Sequence, residues 1–334
     1  MKHRICFLAI ASTLVLGACG GGGDTGTTAA PVQTSALTPI TAATSNKTAA
    51  NAYVANDLIG SSSSPATGIL TGVSIGGTGI SAVPPVLKLV KRAVGQGGAP
   101  LLTGVTMTEA CSGGGSISID ANMGNAQTIS NGDTMTMTAN NCVEGGSNLN
   151  GTVTIAFSAV SGDLVNSSTG AATFDTRFTG FSIVSGSETA TINGDMKIAI
   201  SLTSATSSSV TISGKSLQAI EQMAGAAVSN LTLSNYSLTG STNGTTTTSA
   251  ASFTLSGNAN GLGQFAYTVK NIQPFVSVGT AMPSSGSLIV NGAASSVTLT
   301  ALNASSVRLD YSAKGDGTIT QSTTLSWSAF VASI

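Results

Sequence analysis

Histidine is almost missing from this chain: its single copy is His3. Residues 4–334 therefore lack the side chain that most often moves protons near neutral pH. Charge is sparse at 7% of residues and aromatic residues are sparser at 4%. Two of the twelve basic residues, Lys2 and Arg4, lie in the first eighteen positions, which leaves ten against thirteen acids over the rest. Phosphate backbones are gripped by clustered Lys and Arg, so this balance excludes nucleic acid as a partner. No apolar run reaches the 18 or so residues of a membrane-spanning helix. One Trp and four Tyr are too few for the aromatic girdles of a membrane barrel.

Catalytic motifs fail on inspection. Gly72-Val73-Ser74-Ile75-Gly76 spells a nucleophile elbow without a histidine to serve it. Gly214-Lys215-Ser216 resembles the end of a phosphate loop, but Ser209 stands where the first glycine belongs. No SxxK pair occurs. Asp120-Ala121-Asn122 opens like a calcium loop, yet Asn125 and Asn131 hold the positions that need Gly and an acid. Asp310 and Asp316 are the remaining weak cation candidates, and turn chemistry alone accounts for both. No cofactor is expected, and no enzyme.

Hydrophobic residues nonetheless reach 41%. Disorder combines low hydrophobicity with high net charge, and this chain has neither. The N-terminus is the most specific stretch. Lys2-His3-Arg4 precedes the apolar Ile5–Leu16, and Leu16-Gly17-Ala18-Cys19 follows. This is the layout of an export signal. The last four residues resemble the lipobox of bacterial lipoproteins. The resemblance implies removal of residues 1–18 and acylation of Cys19, with palmitate among the chains attached. More than one acyl chain gives stable membrane anchoring, at about 0.8 kcal/mol per buried methylene.

Gly20–Gly23 and a Ser/Thr/Ala/Pro stretch to Ser45 form a tether over residues 19–45. This start is similar to that of uncharacterised Gram-negative envelope lipoproteins. In those, an Asp directly after the lipidated Cys marks inner-membrane retention; Gly20 stands there, which implies the outer membrane. The stretch Asp310–Gly317 with Trp327 beyond it is similar to the C-terminal end of the same group, from which Lys314 departs.

Cys111 and Cys142 flank Ser112–Asn141. An even pair in an oxidising compartment, without a CxxC or a histidine nearby, points to a disulfide.

Residues 46–102 read as a helical segment. A first helix spans Asn46–Leu58, with Ser45 as N-cap and Gly60 as stop. A second spans Val86–Val94 after Pro84-Pro85, with Lys88, Lys91 and Arg92 on a basic face.

From 103 to 334 the period is two. Ile117/Ile119, Met135/Met137, Val153/Ile155/Phe157, Ile198/Ile200/Leu202, Val297/Leu299/Ala301 and Val307/Leu309/Tyr311 alternate with Ser and Thr, and Leu325 and Trp327 close the series. Turn signals occur at Ser130–Asp133, Glu144–Gly146, Ile192–Asp195, Asn243-Gly244 and Lys314–Gly317. Gly214–Ala227 carries helical spacing amid strands. The expected fold is all-β, about a dozen antiparallel strands curled into a half-barrel or sandwich, with one or two short N-terminal helices. The expected function is a non-enzymatic binding module held on a membrane by its N-terminal lipid, meeting an apolar ligand or an envelope protein. The alternative is a structural or adhesive surface protein using its Ser/Thr face, and a carboxylate-based hydrolase comes third.

Overall fold

The computed structural model describes residues 36–56, 105–124, 129–162, 169–223, 228–259 and 261–333. Cys19, the candidate helix Val86–Val94 and Gly60 lie outside them.

Fourteen antiparallel strands follow one another in a single open sheet, each paired with the next in sequence. They are β1 (Val105–Ala110), β2 (Ser116–Asn122), β3 (Thr134–Glu144), β4 (Ser147–Gly162), β5 (Gly170–Ser185), β6 (Glu188–Ser204) and β7 (Ser207–Met223). Then come β8 (Ser229–Asn243), β9 (Thr246–Ala259), β10 (Gly263–Val278), β11 (Ser285–Gly292), β12 (Ser295–Asn303), β13 (Ser306–Ser312) and β14 (Gln321–Ser326). One sheet of consecutive hairpins replaces the two sheets that a sandwich would need. Alternation explains it: one face carries Ile117, Met135, Ile155, Phe178, Leu233, Leu288 and Val297, all buried. The other face carries Thr and Ser. Among its cross-strand pairs are Thr138 with Thr152 at 3.2 Å and Thr136 with Thr154 at 3.4 Å, contacts of the kind that stabilise a sheet locally.

Two helices are described. α1 (Ser45–Asn56) packs against β9, β11, β12 and β13. Ala49, Ala50, Ala52, Tyr53 and Ala55 are buried in it. Its start differs from the expectation. Ser45 is already helical, and the hydroxyl of Thr41 accepts the Thr44 N–H at 3.2 Å, while the Ser45 hydroxyl donates to Ala42 O. Ahead of it, residues 38–40 are stitched to the sheet end. Thr38 donates its N–H to Ala266 O, Ile40 N–H reaches Ser295 Oγ at 2.7 Å, and Tyr311 OH donates to Ile40 O.

α2 (Trp327–Val331) corrects the reading of Trp327 as a strand residue. Ser326 caps it, its hydroxyl accepting the Ala329 N–H. Trp327 and Phe330 are then turned into the core, where Tyr53 of α1 meets them with ring centroids 4.9 and 5.9 Å away. Phe275 of β10 completes the cluster, 5.4 Å from Tyr53. No helix among the described residues is long and apolar enough to cross a membrane.

A line of bulges crosses the sheet. Register shifts fall at Ala139/Cys142, Asn150/Thr152, Phe178/Phe181, Gly194/Lys197, Ser234/Ser237 and Lys270/Phe275. From β3 to β8 these lie side by side through the pairings of neighbouring strands. Bulges strengthen the twist and bend the strand. Each breaks the ladder, and at several of them a side chain takes a freed backbone N–H. Asn150 Oδ1 accepts from Asn141 N, Asn193 Oδ1 from Gly180 N, and Asn271 Oδ1 from Ala251 N, at 2.7–2.8 Å. The Asp195 carboxylate accepts from Lys215 N and Ser216 N. This overturns one reading of the sequence. Ile192–Asp195 is not a turn but the bulge in the middle of β6. Gly214–Ala227 is likewise no helix: its described part, up to Met223, belongs to β7.

Gly194 shows why glycine is required there. Its φ is 123°, and a Cβ would run into the Ser216 carbonyl oxygen of β7. Strain of ~1–3 kcal/mol from the backbone conformation adds to the clash with main chain that cannot move alone. Gly194→Ala is expected to cost ~2–4 kcal/mol of stability in urea unfolding followed by circular dichroism. A loss under ~1 kcal/mol would show that the bulge is not fixed as described.

Candidate functional site

Cys111 and Cys142 are joined as a disulfide, Cα–Cα 5.3 Å. Cys111 directly follows β1 and Cys142 follows the bulge in β3. Cys142 is fully buried. The thiols are thereby removed from any nucleophilic role.

Asp310 and Asp316 are each engaged by their own neighbours. Asp310, on β13, accepts Arg308 Nε at 2.8 Å and Ser322 Oγ at 2.7 Å. Asp316 Oδ1 accepts the Thr318 N–H at 2.9 Å and the Ser312 hydroxyl at 3.4 Å. That Thr318 N–H, ahead of the other contacts, holds the Asp316 carboxyl below its ordinary range. Its role is that of an Asx turn. No group of three or more His, Cys, Asp or Glu side chains that would hold a metal occurs among the described residues.

The concavity that sequence reading missed lies on the Ser/Thr face. Ser209 and Thr211 of β7, Thr239 and Ser241 of β8, and Thr248 of β9 line a groove of about 240 Å³. Pro274 lines it too. It belongs to the bulge between Lys270 and Phe275, where four residues of β10 oppose two of β9. Asn271 staples that bulge, donating through Nδ2 to Gln273 O and Ser287 O. At its crest Ile272 is 58% exposed. The groove holds no titratable side chain, so it offers neutral hydrogen bonding beside an apolar ridge. Pro274 inside a strand pattern was the available signal, since proline in a sheet marks an edge or a bulge.

One titratable group on the opposite face is strongly perturbed. Tyr236 donates its hydroxyl to Asp195 O at 2.5 Å, across the bulge line. Burial, with the Asp195 carboxylate adding to it, raises its phenol far above the ordinary value near 10. The neutral phenol is thus favoured by the fold. Its stabilising contribution is complete below the unfolded-state value near 10 and is lost as pH climbs toward the folded value. Stability is expected to fall as pH rises above about 10, and that of Tyr236→Phe to fall less steeply there. Equal slopes for the two proteins would remove Tyr236 from the account. Tyr267, also raised by burial, contributes in the same direction.

No family model matches the chain, and no curated protein or solved structure is similar to it.

Proposed function

We propose that this protein is a non-enzymatic binding module, anchored in the envelope through acylated Cys19, that meets its partner on the Ser/Thr face of the sheet. The observation that carries this reading is the position of α1. It packs on the apolar side of β9 and β11–β13, with Tyr53 in the aromatic cluster. That part of the apolar face is covered by the chain's own helix. What solvent reaches is the hydroxyl face, with its groove and the Ile272 ridge beside it. The non-enzymatic part rests on the sequence, with no histidine beyond residue 3 and its last two cysteines bonded together. The outer membrane is the proposed address, from Gly20 after the lipidated position.

The anchor is tested at Cys19. Cys19→Ala is expected to abolish palmitate labelling and to leave the signal segment attached; unchanged labelling would refute it. The interaction face is tested in cells with a photoreactive phenylalanine analogue at Thr239, in the groove, and at buried Leu238 as the control. A discrete product from position 239 alone supports the reading. Native mass spectrometry gives the opposing arm. A stoichiometric co-purified lipid, beyond the covalent acyl chains, would replace the partner-binding module with a lipid carrier.

A further inference from the structure

We propose that β14 is a docking edge for a second copy of this chain, the two β14 strands pairing antiparallel about a twofold axis. The sheet is open, and β14 pairs with β13 alone. In an antiparallel ladder, alternate residues point their N–H and C=O groups away from the neighbour. On β14 these outward groups have no partner among the described residues.

Proteins ordinarily blunt such an edge with charge, proline, a bulge or an inward-pointing ionised side chain. The two edges of this sheet differ in that respect. On β1, Glu109 stands opposite Ile117, a residue of the buried face, so a carboxylate shares the apolar side of that edge. On β14 the sequence is Gln321-Ser322-Thr323-Thr324-Leu325-Ser326, without charge or proline. Its ladder with β13 runs from Ser306–Ser326 to Tyr311–Gln321 without a register shift. Gln321, Ser322, Thr324 and Ser326 are exposed.

Neutrality favours a second copy over a charged partner. A twofold axis brings each edge against itself, so any net charge there would repel its own image. The nearest ionised groups, Arg308 and Asp310 on β13, already pair at 2.8 Å. A register centred on Thr323 or Thr324 sets threonine against threonine. The sheet already uses that contact at Thr138–Thr152. Two β14 strands close on each other and leave no further free β14, so the assembly stops at a dimer instead of growing into a filament.

The test uses the full chain. Thr323→Cys and Thr324→Cys, oxidised in isolated membranes, are expected to give a disulfide-linked dimer from at least one of the two, whereas Thr106→Cys on β1 gives none. The purified unmodified protein is expected to sediment at twice the chain mass. Thr324→Lys places two ammonium groups across the axis and is expected to weaken self-association at least tenfold with unfolding unchanged. Monomers at tens of micromolar without a crosslink at 323 or 324 would overturn the proposal. So would a monomeric chain crosslinked at these positions to a different polypeptide.

Discussion

Trp327→Ala is expected to destabilise the protein by about 3–5 kcal/mol, the range for removing a large aromatic side chain from a packed core. Trp327 is 2% exposed. Its ring lies 4.9 Å from that of Tyr53, 5.9 Å from Phe330 and 6.5 Å from Phe275, centroid to centroid. Its indole N–H donates to Pro283 O at 3.2 Å and to Asn303 O at 3.1 Å. One side chain therefore joins α1, β10, the segment before β11 and the end of β12. Deletion leaves a cavity and two carbonyls without their donor, and an unsatisfied buried polar group adds its own cost. Trp327→Phe keeps much of the packing and loses the hydrogen bonds, so it should fall between the wild type and the alanine variant. Because Trp327 is the only tryptophan, the measurement is urea unfolding followed by far-ultraviolet circular dichroism. A loss below ~1 kcal/mol for the alanine variant would mean that α2 is not seated as described.

The alternation of Thr and Ser with aliphatic residues made the sheet legible, because a period of two assigns each residue to a face before any partner is known. Ser130–Asp133, Glu144–Gly146, Asn243-Gly244 and Lys314–Gly317 do mark turns or bends between strands or ahead of one. Asn193-Gly194 misled for a physical reason. A hairpin turn and a bulge both need a residue at positive φ, and the sequence does not say which of the two it serves. The surrounding length decides: β6 runs on to Ser204, paired with β5 and β7 on either side of the bulge. Leu217, Ile220, Met223 and Ala224 suggested a helix by spacing. In the strand, Leu217, Ala219 and Glu221 are instead the buried positions, a period of two that the mixture of Ala and Glu disguised. At Trp327 the signal was present in Ser326, a good N-cap residue. A helix of five residues is too short for its periodicity to compete with the strand pattern before it.

The site was less legible than the sheet. A disulfide is readable from an even pair of cysteines without a CxxC or a neighbouring histidine, since few other roles suit two of them. A groove walled by Ser209, Thr211, Thr239, Ser241 and Thr248 is not, because these residues are indistinguishable in type from the rest of the outer face. Only the register, which sets β7, β8 and β9 side by side, and the bulge that raises Pro274 turn a common composition into a concavity. Asp310 and Asp316 illustrate the converse. They stood out because acids are rare here, and their surroundings show each already occupied by hydrogen bonds.

Removing the disulfide by Cys111→Ala with Cys142→Ala is expected to cost about 3–4 kcal/mol, the loop-closure contribution for some thirty intervening residues. The bond links the end of β1 to β3 across the whole of β2. Three further contacts hold the same corner. Cys111 N–H donates to Gly115 O, Gly113 N–H to Val143 O, and Val143 N–H to Gly114 O. Glu144 also accepts Ser112 N–H and its hydroxyl, at 3.0 and 2.9 Å. These contacts keep the corner together in the folded protein without the sulfur bond, so the variant should fold and lose stability mainly through a freer unfolded chain. That predicts a lower urea midpoint with an unchanged near-ultraviolet spectrum at zero denaturant. Both sulfurs are buried, so a reductant added to folded protein should act slowly, and reduction should quicken only once urea opens the corner. A double variant that already lacks native tertiary signal would instead assign the disulfide a role in holding β1 on the sheet.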